Sequence, residues 1–215
     1  MDAQRTYLPA AGRGWALPLY DPLVKFLGGD AARKVLIEQA AMSPGLRILD
    51  IGCGTGTMAV MIKRLHPNVS VVGLDPDPEA LSRARHKAQR EDLSIQFEQG
   101  FSDGLPYPDG SFDRVFSSFM YHHLPSNEKG KTLREVRRVL RAGGSFHLLD
   151  FQGPDAHRQG WLAHWFHAGE RLQDNAQSRI FDLLKQCGFS EAARLTQRRL
   201  LFGPIAYYQA SVPTC

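Results

Sequence analysis

The sequence predicts an α/β fold: a doubly wound, mainly parallel sheet of seven strands whose last two form an antiparallel hairpin. Three observations carry that expectation. Short apolar runs alternate with stretches of helical periodicity, as successive β–α–β units require. A glycine-rich turn, Gly52, Gly54 and Gly56, separates the first such run from the first clear helix. The final two strand-like runs, residues 191–202 and 205–210, are separated only by Gly203 and Pro204. That connection is too short for a parallel crossover.

The first strand, LRILDI at residues 46–51, has Ile48, Leu49 and Ile51 as a short apolar run of the kind buried in a parallel sheet. A helix follows from Thr57, with Met58, Val60, Met61, Ile62 and Leu65 on its apolar face and Lys63 and Arg64 outside. The second strand, VSVVGL at 69–74, ends in Asp75. Beyond Pro76, Asp77 suits an N-cap and Pro78 the first helical turn. Strands at 94–99 (SIQFEQ), 113–119 (DRVFSSF) and 144–151 (GSFHLLDF) follow, with a helix from about Asn127 before the last. LLKQCGF at 183–189 reads as a helix closed by Gly188.

At 215 residues and 43% hydrophobic content, the chain is read as one domain with one core. Its core segments are 44–151 and 177–210, with an N-terminal cap segment at 1–43 and an insertion at 152–176. No run of eighteen or more apolar residues and no signal-peptide pattern is present. Cys53, Cys187 and Cys215 are scattered without metal spacing, which points to a reducing, cytoplasmic setting. The net charge of +4 is modest, and its arginines fit solvated faces better than a nucleic-acid track.

The glycine turn decides the ligand class. A dinucleotide fingerprint, G-x-G-x-x-G, would need glycine where Thr57 stands. The spacing is instead D-x-G-x-G-x-G, with Asp50 ahead of the loop. An acid there repels a pyrophosphate but pairs with an ammonium, while a helix start receives a carboxylate. An amino-acid group satisfies both, and S-adenosylmethionine (SAM) carries one. Asp75, about twenty residues further on, is placed to grip a ribose diol.

LDIGCGTG, VVGLDPDPEALSRAR, LPYPDGSFDRVFSSFMYHHLP, LREVRRVLRAGGSFHLLDF and LLKQCGFSEA resemble successive motifs of the class I SAM-dependent methyltransferases. They are most similar to the bacterial branch that includes the ubiquinone/menaquinone-biosynthesis methyltransferases. The resemblance implies a Rossmann-like fold with SAM as cofactor. Gly52 and Gly54 would lie under its methionine part, with the Cys53 backbone alongside, Asp50 near the amine, and Asp75 and Pro76 at the ribose. Phe101 stands where the family has an acid for the adenine amino group. Its ring would pack on the base or lie buried under the loop, with Ser102 offering a backbone N–H and Asp103 a substitute acceptor. Ser117 or Ser118 would border the cofactor.

By the same resemblance, Tyr20 matches a YD pair near the SAM head, or else anchors a helix to the core. At most one of His122 and His123 would face the methyl group, and a histidine here is often structural, pinning the loop. His123 is the candidate base, since an imidazole has an ordinary pKa of about 6.5. Trp161, His164, Trp165 and Ala168 share one helical face in the insertion, as a lid over an apolar acceptor or as core. His164 and His167 make no convincing metal set. The expected activity is in-line methyl transfer to a small, apolar or aromatic acceptor, at a carbon, oxygen, nitrogen or sulfur. The rival is a non-catalytic SAM-binding partner or regulatory subunit.

Overall fold

A computed structural model describes residues 27–152, 177–201 and 203–214. Its strands are β1 (Arg47–Ile51), β2 (Ser70–Asp75), β3 (Gln96–Gln99), β4 (Phe112–Ser118), β5 (Leu140–Phe151), β6 (Ser190–Leu200) and β7 (Gly203–Ser211). Its helices are α1 (Gly29–Glu38), α2 (Thr57–Leu65), α3 (Pro78–Arg90), α4 (Ser126–Val139) and α5 (Gln177–Gln186). One sheet forms in the order β3-β2-β1-β4-β5-β7-β6. Strands β1 to β5 pair in parallel, and β7 lies antiparallel between β5 and β6. The expected doubly wound sheet with its terminal hairpin is the observed fold.

Alternation along the strands sends neighbouring residues into two cores. Ile48, Val71, Phe116, Leu149 and Tyr207 pack with Leu36 and Ile37 of α1, Met58 and Ile62 of α2, and Leu81 and Ala84 of α3. Leu49, Val72, Val115, Phe146 and Tyr208 pack on the opposite face with Leu133 and Val136 of α4 and Ile180 and Leu184 of α5. Burying each large side chain contributes about 1.5–3 kcal/mol, so both faces are needed to hold a central strand such as β1. Arg47 is the only exposed residue of that strand.

The larger departures from expectation are three. Strand β5 begins at Leu140, four residues early, and the pairing slips between Phe112↔Leu140 and Arg114↔Ser145 to absorb the extra length. Leu200 already pairs with Gly203, so Gly203 and Pro204 open β7 instead of forming the turn. Pro204 is the second residue of β7, opposite Arg199 of the edge strand, near the strand start where proline is tolerated. The N-terminal cap segment contributes a regular helix, α1, whose Ala32, Leu36 and Ile37 are buried. Tyr20 and the 153–176 part of the expected lid, with Trp161, His164, Trp165 and His167, lie outside the described residues.

The chain winds outward from β1 to β3 and then returns to place β4 on the other side of β1. The carboxyl ends of β1 and β4 are therefore the topological switch point, where open α/β sheets hold ligands.

Candidate functional site

After β1 the chain turns through Gly52, Gly54 and Gly56, with φ of +64°, +53° and +76°. These left-handed conformations are open to glycine at little cost. Two of the three also answer to space. A Cβ on Gly56 would stand 2.8 Å from Cβ of Ala84 and 3.0 Å from the Phe97 ring, so this glycine lets α2 approach α3 and β3. A Cβ on Gly52 would run into the Met120 side chain, which covers the turn.

Strand β2 holds the loop. The N–H groups of Gly52 and Cys53 donate to the Leu74 carbonyl at 2.8 and 3.1 Å. The Gly54 N–H donates to Oδ2 of Asp75 at 2.7 Å, and the Asp77 N–H to Oδ1 at 2.9 Å. Asp75 is buried. Burial pushes its carboxyl above the ordinary aspartate range, and the Asp77 and Gly54 N–H groups oppose the rise. Asp77 caps α3 as expected, accepting from the N–H groups of Glu79 and Ala80 at 2.9 and 3.3 Å. Cys53 is buried and its thiol is pushed well up, first by burial and then by Asp50 and Asp75. A thiol kept protonated is a poor nucleophile.

Asp50 is the least satisfied group of the site. It is fully buried, and neither carboxylate oxygen has a partner at full hydrogen-bond geometry. Burial pushes it up to about 7, the Arg33 guanidinium and the Ala59 N–H lower it, and Asp75 adds to the rise. The sequence reading gave Arg33 no role. It comes from α1, is buried, and donates from Nε to the Ser118 hydroxyl at 3.4 Å.

The segment after β3 is fixed from α4. The Leu105 N–H donates to Glu135 at 2.8 Å, and Arg138 donates to the Leu105 and Tyr107 carbonyls at 2.9 and 2.6 Å. Phe101 is half-buried at the start of this segment, with Ser102 and Asp103 beside it. The Ser102 hydroxyl is engaged with Thr132 at 2.9 Å. Ser117 is fully buried at the end of β4, and Ser118 is half-buried.

Beyond β4, residues Tyr121–His123 make a single 3-10 turn. Here the histidines divide. Nδ1 of His122 lies 2.6 Å from Oδ1 of Asp150, and the His122 backbone N–H donates to Oδ2 at 2.7 Å. Asp150 also accepts the Phe151 N–H at 2.8 Å and is fully buried. A carboxylate only accepts, so Nδ1 carries the proton, and it is Nε2 that is left as the acceptor in the neutral ring. The His123 ring lies tilted against that of His122, with centroids 4.0 Å apart, and His123 is half-buried. The acid–imidazole pair is thus built around His122, next to the expected His123. A signal for it existed: Asp150 closes β5 as Asp50 and Asp75 close β1 and β2. Among the described residues, no group of three or more His, Cys, Asp or Glu could hold a metal ion. None of their helices is long and apolar enough to cross a membrane.

Comparison with known proteins agrees with this geometry. Residues 48–144 match a family model described as a methyltransferase domain. The chain is 43% identical over 141 residues to a demethylmenaquinone methyltransferase of Deinococcus radiodurans, covering 64% of this chain and 57% of that protein. It is 38% identical over 140 residues to the protein of the same name from Thermus thermophilus, covering 64% of this chain and 63% of that one. The chain thus spans less than two thirds of the length of these relatives. Among solved structures, the YcgJ protein of Bacillus subtilis superposes with a TM-score of 0.71 at 21% identity, over 86% of this chain and 99% of that one.

Proposed function

We propose, for a chain that belongs to the class I SAM-dependent methyltransferases, that it transfers the methyl group of SAM to a ring carbon of a small aromatic acceptor of the quinol type. The observation that carries the donor site is Asp50, a buried carboxylate with no partner at full hydrogen-bond geometry, just ahead of three left-handed glycines. That arrangement calls for a ligand that is cationic next to the acid and needs bare backbone beyond it. SAM supplies a methyl group already made electrophilic by its sulfonium. The remaining work is positioning, proton removal and exclusion of water, which ordinary side chains can perform.

In this reading Asp75 meets the ribose hydroxyls with the lone pairs its two N–H contacts leave. Gly52 and Gly54 bring main chain under the methionine part, and Phe101 and Ser102 border the adenine. His122 serves the acceptor. With Nδ1–H held by Asp150, its Nε2 can take the proton of a phenolic hydroxyl and raise electron density on the ring carbon that is methylated. The demethylmenaquinone methyltransferases at 43% and 38% identity support a quinol acceptor.

The test is transfer of a labelled methyl group to reduced and oxidised demethylated naphthoquinones. Label on a ring carbon of the reduced compound is the expected result. SAM binding without turnover on any acceptor would instead favour a non-catalytic SAM-binding subunit. Tight NAD binding without SAM binding would overturn the assignment altogether. His122→Ala is expected to lower kcat by about 10²–10⁴-fold while SAM affinity is unchanged. The loss should shrink for acceptors that are already ionised. If His123→Ala shows that pattern and His122→Ala does not, His123 holds the proton role.

A further inference from the structure

We infer that the turn joining β6 to β7 docks the protein on an anionic lipid surface, Leu201 entering the bilayer while Arg198 and Arg199 meet the headgroups. Docking there sets the acceptor side of the site against the membrane. That consequence rests on the acceptor reading above, and the docking itself does not.

Leu201 is 73% exposed, the most open of the large hydrophobic side chains among the described residues. A lone exposed leucine is ordinary on a protein surface and by itself argues nothing. Its setting is what points to a partner. Leu200 pairs with Gly203 across the hairpin and packs back against the α1-side core, so Leu201 belongs to a turn of two residues on a braced ladder. Just behind it, Arg198 pairs with Ile205 and Arg199 with Pro204. Ile205 is packed in the core beneath α1, so Arg198 stands on the α1 side of the sheet and Arg199, one residue on, on the α5 side. Both arginines are exposed, and neither is in an ion pair among the described residues. Helix α1 begins beside the turn, since a Cβ on Gly28 would stand 3.4 Å from Leu200. Its first acid, Asp30, is held by Arg33 at 3.3 Å.

The partner must therefore be negative at its surface and apolar beneath. A nucleic acid would meet the arginines and leave Leu201 in water. A stable protein partner takes about 800 Å² from each side, far more than a two-residue turn offers. An anionic bilayer suits an end-on approach: the charges on both faces of the sheet reach headgroups while the leucine ahead of them passes below.

The turn is also placed at the site. Strand β7 runs antiparallel to β5, so it starts at the carboxyl edge of the sheet. Phe151 pairs with Ile205, two residues past Gly203, and the Phe151 ring packs edge-on to His122 with centroids 4.9 Å apart. The edge that carries His122 thus carries the docking turn. A lipophilic acceptor dissolved in the bilayer then reaches the site without crossing bulk water.

The experiment is co-sedimentation of the full chain with vesicles, in the absence of SAM and acceptor. One set is phosphatidylcholine alone, the other equal parts phosphatidylcholine and phosphatidylglycerol. Binding to the mixed vesicles is expected at about 10³–10⁴ M⁻¹, up to the strength of one acyl chain, with none measurable on phosphatidylcholine. Leu201→Ser should weaken it about tenfold or more. Arg198→Gln and Arg199→Gln should each weaken it about fivefold, an effect lost near 1 M salt, where the screening length is roughly 3 Å. Melting temperatures should not move, because all three side chains are exposed. Absence of binding by the parent, equal binding to both vesicles, or binding that none of the three substitutions weakens overturns the inference. So does binding of a single-stranded oligonucleotide that needs the arginines and not Leu201, with no vesicle binding. Should Leu201→Ser fail to fold, the arginine variants and the vesicle comparison decide. With vesicle binding shown, Leu201→Ser should slow methyl transfer to a vesicle-borne quinol and spare a water-soluble one. Equal loss on both overturns the link to the acceptor site, and no transfer by the parent to either sinks the acceptor reading while the docking result stands.

Discussion

Asp75→Ala is expected to remove measurable SAM binding and to lower the stability of the ligand-free protein in the same step. In the proposed reading the carboxylate does two jobs. Its oxygens accept the N–H groups of Gly54 at 2.7 Å and Asp77 at 2.9 Å, tying the glycine turn to the end of β2. Alanine leaves both donors without an acceptor in a buried setting, at about 1–3 kcal/mol each. Part of that loss is offset because the ionised carboxylate is itself disfavoured by burial. A net loss of about 1–3 kcal/mol is therefore the expectation, out of the 5–15 kcal/mol typical of a domain. For the ligand, two hydrogen bonds to a charged acceptor disappear, which corresponds to roughly 100-fold or more in Kd. Thermal melting and calorimetry on the same variant separate the two jobs. A folded Asp75→Ala protein that binds SAM like the parent takes Asp75 out of the ribose site. An unchanged melting temperature takes it out of loop support.

The double duty proposed for Asp75 bears on why part of the site was legible and part was not. Residues that act through chain-local geometry announced themselves: the glycines with their positive φ, Asp77 as the cap of α3, and the acids closing β1 and β2. The two-sided burial of β1 and the brevity of the last connection likewise fixed the sheet and its hairpin. Contacts between distant segments left weaker traces. Arg33 and Ser118 are 85 residues apart. Nothing in GDAARKVLIE marks one arginine of an amphipathic helix as the buried one. His122 and Asp150 were both visible as residue types, but only the pairing of β4 with β5 brings the 3-10 turn onto the end of β5. Adjacent histidines cannot be told apart until the turn is built, so which of the two meets Asp150 is a matter of register that the sequence does not display. The Ser102 hydroxyl turns to Thr132 because α4 packs under that segment, a tertiary fact with no local pattern.

Asp50→Asn should make the ligand-free protein more stable at pH 8 while weakening its hold on SAM. The Asp50 carboxyl is pushed up to about 7, by burial first, with Asp75 adding and Arg33 and the Ala59 N–H opposing. The neighbouring Cys53 thiol stays protonated over this range. In an unfolded chain an aspartate loses its proton near pH 4. Between roughly pH 4 and 7 the native state therefore holds a proton that the unfolded state has released. Native stability falls as pH rises through that window, and the slope ends once Asp50 ionises in the native state as well. Three pH units correspond to about 4 kcal/mol as an upper bound. The asparagine amide must itself be buried, so a net gain of about 1–3 kcal/mol at pH 8 is expected, with parent and variant converging near pH 4.

Binding should run the other way. An ammonium needs the ionised acid, so parent affinity should rise with pH up to about 7, with proton release on binding below that pH. Asp50→Asn should bind at least about tenfold more weakly and lose that pH dependence. Calorimetry in two buffers of different ionisation enthalpy measures the proton directly. Absence of proton release in the parent near pH 6, with no gain in the variant's melting temperature at pH 8, would mean that Asp50 is already ionised and held by Arg33. The opposite result makes the strained acid part of the function, with stability of the empty protein given up for a counter-charge ready when the ligand arrives.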